Sequence, residues 1–144
     1  MRSGRRLLLD TAYIQALLSR RDAYHEAALR LLPEVASAHE VLLTEAVLIE
    51  SANALSRINR QGFAEFVRAA YEEPNIRIVA VDSALLRRGL ELYELRADKT
   101  WSLTDCLSFV VMENEGVTDA ATTDHHFEQA GFRALMVESP QPTP

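Results

Sequence analysis

Three short runs, each closed by an aspartate, constrain this chain most: "LLLD" ends on Asp10, "IVAVD" on Asp82 and "AATTD" on Asp124. Short apolar runs of this kind read as buried strands. Between them lie stretches whose apolar residues recur at helical spacing. Strands that alternate with helices imply a mostly parallel sheet with helices on both faces. The expected fold is therefore α/β, with four to five short strands in a central sheet.

In detail, strands are expected over residues 6–9, 41–43 and 76–81, in the run that ends at Asp124, and in "ALMVE" near the end. Helices are expected over 11–19, 23–35, 61–71 (stopped before Pro74), from an Asp82 or Ser83 cap to Leu95, and over 103–114 with Gly116 just past its end. Thr44 fits the N-cap of a further helix running to Asn59, and "HHFEQAG" is a short helix with Gly131 beyond it. At 144 residues the chain reads as one domain, over 1–138, with "SPQPTP" (139–144) as a mobile tail.

Composition narrows the class. Hydrophobic content of 48% and charged content of 25% suit a soluble globular protein, and no apolar run approaches the ~20 residues of a membrane span. The opening "MRSGRRLLLD" is too short in its apolar part for a signal peptide. The single cysteine, Cys106, excludes an internal disulfide and a Cys-rich metal site, so the expected compartment is the cytoplasm. Net charge is −6, and every base except Lys99 is arginine. That argues against a protein that grips nucleic acid mainly through a broad basic surface, but not against one that holds it locally, by arginines and a metal.

In open parallel sheets, ligands bind beyond the carboxyl ends of the strands, where Asp10, Asp82 and Asp124 stand. An Asp leaving a strand is often an N-cap, and for Asp82 that reading suffices, because Ser83 and an amphipathic helix follow. Asp105 lies in "WSLTDCLSF", an otherwise apolar run. Ser102 and Asp105 match a capping box, yet the helix they open is apolar nearly all round and so is expected to be central and buried. Glu50 lies on the Thr44-capped helix among Ala46, Val47, Asn53, Ala54 and Arg57. Its face is expected to pack inward; a Glu–Arg or Glu–Asn pair on a solvated face is the alternative. Glu45 fits the positive end of the same helix dipole.

If Asp10, Glu50, Asp105 and Asp124 converge, their mutual repulsion is relieved by a divalent cation, and oxygen donors suit Mg²⁺ or Mn²⁺. Such ions serve phosphodiester hydrolysis. No nucleophile triad, P-loop, dinucleotide fingerprint or H-E-x-x-H motif competes. His125 and His126 are expected to be solvent-exposed residues of a first helical turn, Cys106 an inert buried thiol, and Trp101 a hydrophobic anchor.

"LLLDTAYIQALL", "TEAVLIESANAL", "DKTWSLTDCLSF" and "ATTDHHFEQAGF" together resemble the PIN-domain ribonucleases, most closely the VapC-like toxins of toxin–antitoxin pairs, from about Leu7 to Val137. The resemblance implies a metal-dependent endoribonuclease. Asp10, Glu50, Asp105 and Asp124 would line an Mg²⁺ or Mn²⁺ site, a Thr122 hydroxyl would assist by hydrogen bonding, and Thr11 and Ser102 would be near neighbours. It also implies a homodimer, an RNA substrate and a small antitoxin partner. Arg57, Arg5 and Arg6 are candidate phosphate contacts. Two rival readings keep the fold: an RNA-processing nuclease without an antitoxin, and a PIN-like binding module that has lost catalysis. A phosphatase or receiver-like protein fits poorly, because "DTAYI" lacks the D-x-D of the phosphatases.

Overall fold

The computed structural model describes residues 4–137. The expected tail at 139–144, and Glu138 at the end of "ALMVE", lie outside them. Five strands alternate with seven helices: β1 (Arg6–Leu9), α1 (Thr11–Leu18), α2 (His25–Ser37), β2 (Glu40–Thr44), α3 (Glu45–Leu55), α4 (Arg60–Glu72), β3 (Ile76–Val79), α5 (Ser83–Leu95), α6 (Leu103–Glu115), β4 (Asp119–Ala121), α7 (His125–Gln129) and β5 (Arg133–Ala134). The strands form one sheet in the order β3-β2-β1-β4-β5, and every pairing is parallel. No described helix is long and apolar enough to cross a membrane.

Successive strand residues point to opposite faces, and the leucine runs supply both. Leu7, Leu9, Val41 and Leu43 join one core, filled by Tyr13, Ile14, Val35, Val47 and Leu55 from α1–α3. Leu8, Leu42 and Ala120 join the other, filled by Trp101, Phe109, Met112 and Phe127. Continuous apolar strands are what a sheet covered on both faces requires. Gly89 lets α5 lie close on α6: a Cβ there would stand 2.5 Å from Cδ2 of Leu107. Gly116 adopts φ 67° at the C-cap of α6, a conformation glycine takes without strain.

Several boundaries differ from expectation, each for a local reason. α3 stops at Leu55 because Asn59 is used otherwise: it accepts the Gly62 N–H at 3.0 Å as the cap of α4 and donates to the Leu18 carbonyl at 2.9 Å. β3 ends at Val79, and the Val81 N–H is taken by the Glu45 carboxylate at 2.8 Å, a duty beyond the dipole role expected of Glu45. β4 ends at Ala121 because Thr122 turns the chain, its hydroxyl accepting the Asp124 N–H at 2.9 Å. α2 begins only at His25, after a turn in which Asp22 accepts the Tyr24 N–H.

Candidate metal centre

β1 lies between β2 and β4, and the chain builds the sheet first to one side of β1 and then to the other. That reversal opens a crevice at the carboxyl ends of β1 and β4, the place where such sheets bind ligands. Asp10 leaves β1 there, and its N–H extends the ladder to the Ala121 carbonyl at 3.1 Å. Asp10 occupies the N-cap position of α1, yet its carboxylate caps nothing. Oδ2 instead accepts the Thr122 hydroxyl at 2.7 Å, in the interior. One hydroxyl thus does two jobs, donating to Asp10 and accepting from the backbone of Asp124.

Asp105 caps α6. Its carboxylate takes the Ser102 N–H at 3.1 Å while the Ser102 hydroxyl takes the Asp105 N–H at 3.0 Å, a complete capping box. Asp124 caps α7 through the His126 N–H at 2.8 Å. Both capping readings hold, and neither exhausts the carboxylates. The His126 ring completes the cluster, its Nδ1 lying 3.0 Å from Oδ2 of Asp105 and 3.3 Å from Oδ1 of Asp124. Thr100 Oγ1 lies 3.2 Å from Nε2 on the far side of the ring.

Electrostatics sets these acids apart from ordinary surface carboxylates. Burial pushes the Asp10 carboxyl up to about 7; the Thr122 hydrogen bond opposes this, and the charges of Asp105 and Asp124 push the same way as burial. Asp105 is also raised, chiefly by burial, with the Ser102 and His126 hydrogen bonds opposing and the Asp124 charge adding to it. Like charges that cannot be solvated favour a cation among them. One ligand atom each from Asp105, Asp124 and His126 fall within 4.8 Å of one another. The carboxylate oxygens suit a hard divalent ion, whereas an imidazole among them suits a transition metal better than Mg²⁺.

Of the residues singled out from sequence, the structure gathers Asp10, Asp105, Asp124, Thr122 and Ser102. Thr11 is buried beside Asp10, and its hydroxyl has no hydrogen-bond partner among the described residues. Glu50 does not lie on an inward face: with Asn53, Ala54 and Arg57 it is exposed. α3 buries Val47, Leu48, Ser51 and Leu55 instead, a stripe that passes Glu50 by. Arg5 and Arg6 stand at the opposite edge of the sheet. Arg6 begins β1, about 13 Å from Asp10 by strand rise, and pairs with Glu40 at 2.7 Å, while Arg5 pairs with Glu34 and Asp119.

His126 was not expected here. It is half-buried and bridges two acids, whereas His125 is exposed and pairs with Glu128. The one signal in the sequence is its place two residues after a capping Asp, in a turn that folds back on its own cap. Trp101 and Cys106 are buried as expected. The indole packs edge-on against Phe109 and donates to Gln129 at 2.9 Å.

The family model of the PIN domain matches residues 7–133, nearly the whole chain. The chain belongs to the PIN-domain family. Among solved structures it is similar to the Mycobacterium tuberculosis toxin VapC20, described as cleaving the sarcin–ricin loop. The two share 27% identity over 88% of this chain and 95% of that one, with a TM-score of 0.77. It also shares the fold of FitAcB from Neisseria gonorrhoeae, at 17% identity over 89% of this chain and 95% of that one, with a TM-score of 0.61. No curated protein matches it by sequence. The VapC-like PIN fold expected from the four motifs is the fold present, and its strands are all parallel.

Proposed function

We propose that this PIN-domain protein is a divalent-metal-dependent endoribonuclease, and that it acts in the cytoplasm as the toxin of a toxin–antitoxin pair, with one nuclease domain spanning 1–138. The observation that carries this reading is the meeting of Asp10, Asp105 and Asp124 at the β1/β4 crevice of a chain similar to an RNA-cleaving toxin. Asp10, Asp105 and Asp124 would hold Mg²⁺ or Mn²⁺, and Glu50, exposed on α3 and outside the hydrogen-bonded cluster, would serve as a ligand or as a base acting through water. A divalent cation bound there supplies Lewis acidity and a more acidic water for attack on an RNA phosphate.

The chain's own residues set up that chemistry. Thr122 ties down Oδ2 of the Asp10 carboxylate and so fixes its orientation. Ser102 holds Asp105 at the positive end of α6, which favours the ionised form against the effect of burial. Arg57, exposed beyond α3, is free to meet a phosphate. Partners follow from the same reading: an RNA substrate, a cognate small antitoxin whose tail enters the groove, and a second copy of the chain in a homodimer.

The test is cleavage of RNA by the purified chain with Mg²⁺, with Mn²⁺ and with chelator. Asp10→Asn and Asp105→Asn each abolish metal-dependent cleavage and leave the circular dichroism spectrum intact. Either variant cutting at the wild-type rate overturns the site. Harmless expression of the lone chain, with cellular RNA intact, overturns the toxin role.

A further inference from the structure

The same crevice has a basic flank that the catalytic acids do not explain. α2 and α4, 13 residues each and so about 20 Å long, run back to the starts of β2 and β3, which span only four or five residues. Midway along them, Leu32 and Phe66 share a cavity with Leu9 and Tyr13, at the carboxyl end of β1 and on α1. The first turns of both helices therefore lie beyond the carboxyl edge of the sheet, on the side of Asp10. The loops that precede them meet there. Asn59, in the α3–α4 loop, donates to the Leu18 carbonyl, and an open cleft is lined by Leu18, Ser19, Arg20, Arg21, Ile58 and Asn59.

The α1–α2 loop carries Arg20 and Arg21 in "SRRD", and "RINR" puts Arg57 in the α3–α4 loop and Arg60 at the first residue of α4. Arg20, Arg21, Arg57 and Arg60 are all exposed. None of the four takes part in an ion pair among the described residues. The neighbouring Asp22 is half-buried and accepts the Tyr24 N–H, and Arg60 donates only to the Ser56 carbonyl. On a chain of net charge −6, four exposed arginines without acid partners on two joined loops form a local anion surface. α1 sets this surface about 12 Å from Asp10, a span of roughly three to four phosphates along a helical strand. Ile58, 62% exposed between the two loops, adds an apolar platform beside the guanidinium groups.

We infer that the joined α1–α2 and α3–α4 loops form a phosphate track, in which Arg20, Arg21, Arg57 and Arg60 hold the RNA strand a few nucleotides from the scissile bond. This rests on the nuclease reading and gives it a direction, since one flank of the RNA is gripped by these loops.

The experiment measures binding of a fluorescent single-stranded RNA across a salt series. It compares the Asp105→Asn chain with the same chain carrying Arg20→Ala/Arg21→Ala or Arg57→Ala/Arg60→Ala. Each lost phosphate contact to a single strand removes about 0.7 from the slope of log affinity against log salt, so each double variant lowers the slope by about 1.4. Arg20→Lys/Arg21→Lys retains the slope, and the alanine variants melt at the parent temperature. An unchanged slope, where the wild-type chain cuts RNA, overturns the track and leaves the nuclease standing. A wild-type chain that neither cuts nor binds RNA sinks the nuclease reading itself. Variants that keep the slope but escape a coexpressed antitoxin assign the loops to a protein partner and overturn the inference.

Discussion

Thr122 carries more of the site than its size suggests, because one buried hydroxyl joins β1 to the start of α7. Thr122→Val keeps the shape and removes both bonds, leaving the Asp124 N–H unpaired and Asp10 without its side-chain donor. Outer bonds of this kind are worth roughly 10–100-fold in metal affinity, and calorimetric titration with Mn²⁺ should show a loss of that size. Asp10 has a pH signature of its own. Its folded carboxyl, near 7, binds a proton through the range in which the unfolded chain, with its ordinary value of 3.8, has already lost it. A group raised in the folded state favours folding at low pH. The metal-free protein thus loses stability as pH rises from about 4 to about 7, by up to ~4 kcal/mol from this group. Asp10→Asn flattens that slope in a pH series of urea melts, and above pH 7 the metal-free variant is the more stable form. Asp10, Asp105 and Asp124 were legible in the sequence because acids closing apolar runs are conspicuous and costly to bury. His126 was not, because its role depends on a turn that brings its ring back over Asp105. Glu50 was misplaced because small residues around a helical position do not say which way the helix is rotated.

At the scale of elements, patterning located every helix and the first four strands and erred at their ends, while the expected last strand, "ALMVE", shares only Ala134 with β5. The errors fall where a side chain takes over a backbone group, as Asn59 and Glu45 do, and helical period carries no trace of such bonds. Asn75 is a further case. Buried before β3, its amide donates to the Ala38 carbonyl at 3.1 Å and to the Val35 carbonyl at 3.3 Å, and so pins the end of α2. Asn75→Ala removes the donor from the buried Ala38 carbonyl and leaves the Val35 carbonyl only the Ala38 N–H, which should cost about 1–3 kcal/mol in chemical denaturation. Local fraying of α2, seen as faster amide exchange at its last turn, should accompany it. An unchanged denaturation midpoint would show that water replaces the amide without loss.

For the molecule as a whole, charge and metal act together. Three buried or half-buried acids in one crevice make the metal-free state the strained one, so Mn²⁺ or Mg²⁺ raises the melting temperature of the wild type and leaves that of Asp105→Asn almost unchanged. At a hundredfold excess of metal over its dissociation constant the gain is about 2.7 kcal/mol. A wild-type protein whose melting point ignores both ions would return the site to the binding-module reading. The parallel order of the sheet was legible from the alternation of strand and helix. The sequence could not show that β4, the last long-range partner of β1, closes the central crevice.

That closure has a consequence in time. Asp10 and its partner Thr122 lie 112 residues apart in the chain. At a synthesis rate of ~5–20 residues per second, the first acid emerges roughly 6 to 22 s before the residue that fixes it. A nascent or truncated product lacking β4 has neither Thr122 nor Asp124 and therefore no place for a cation. The crevice is therefore a late product of synthesis: it cannot close around Asp10 before β4 has been made.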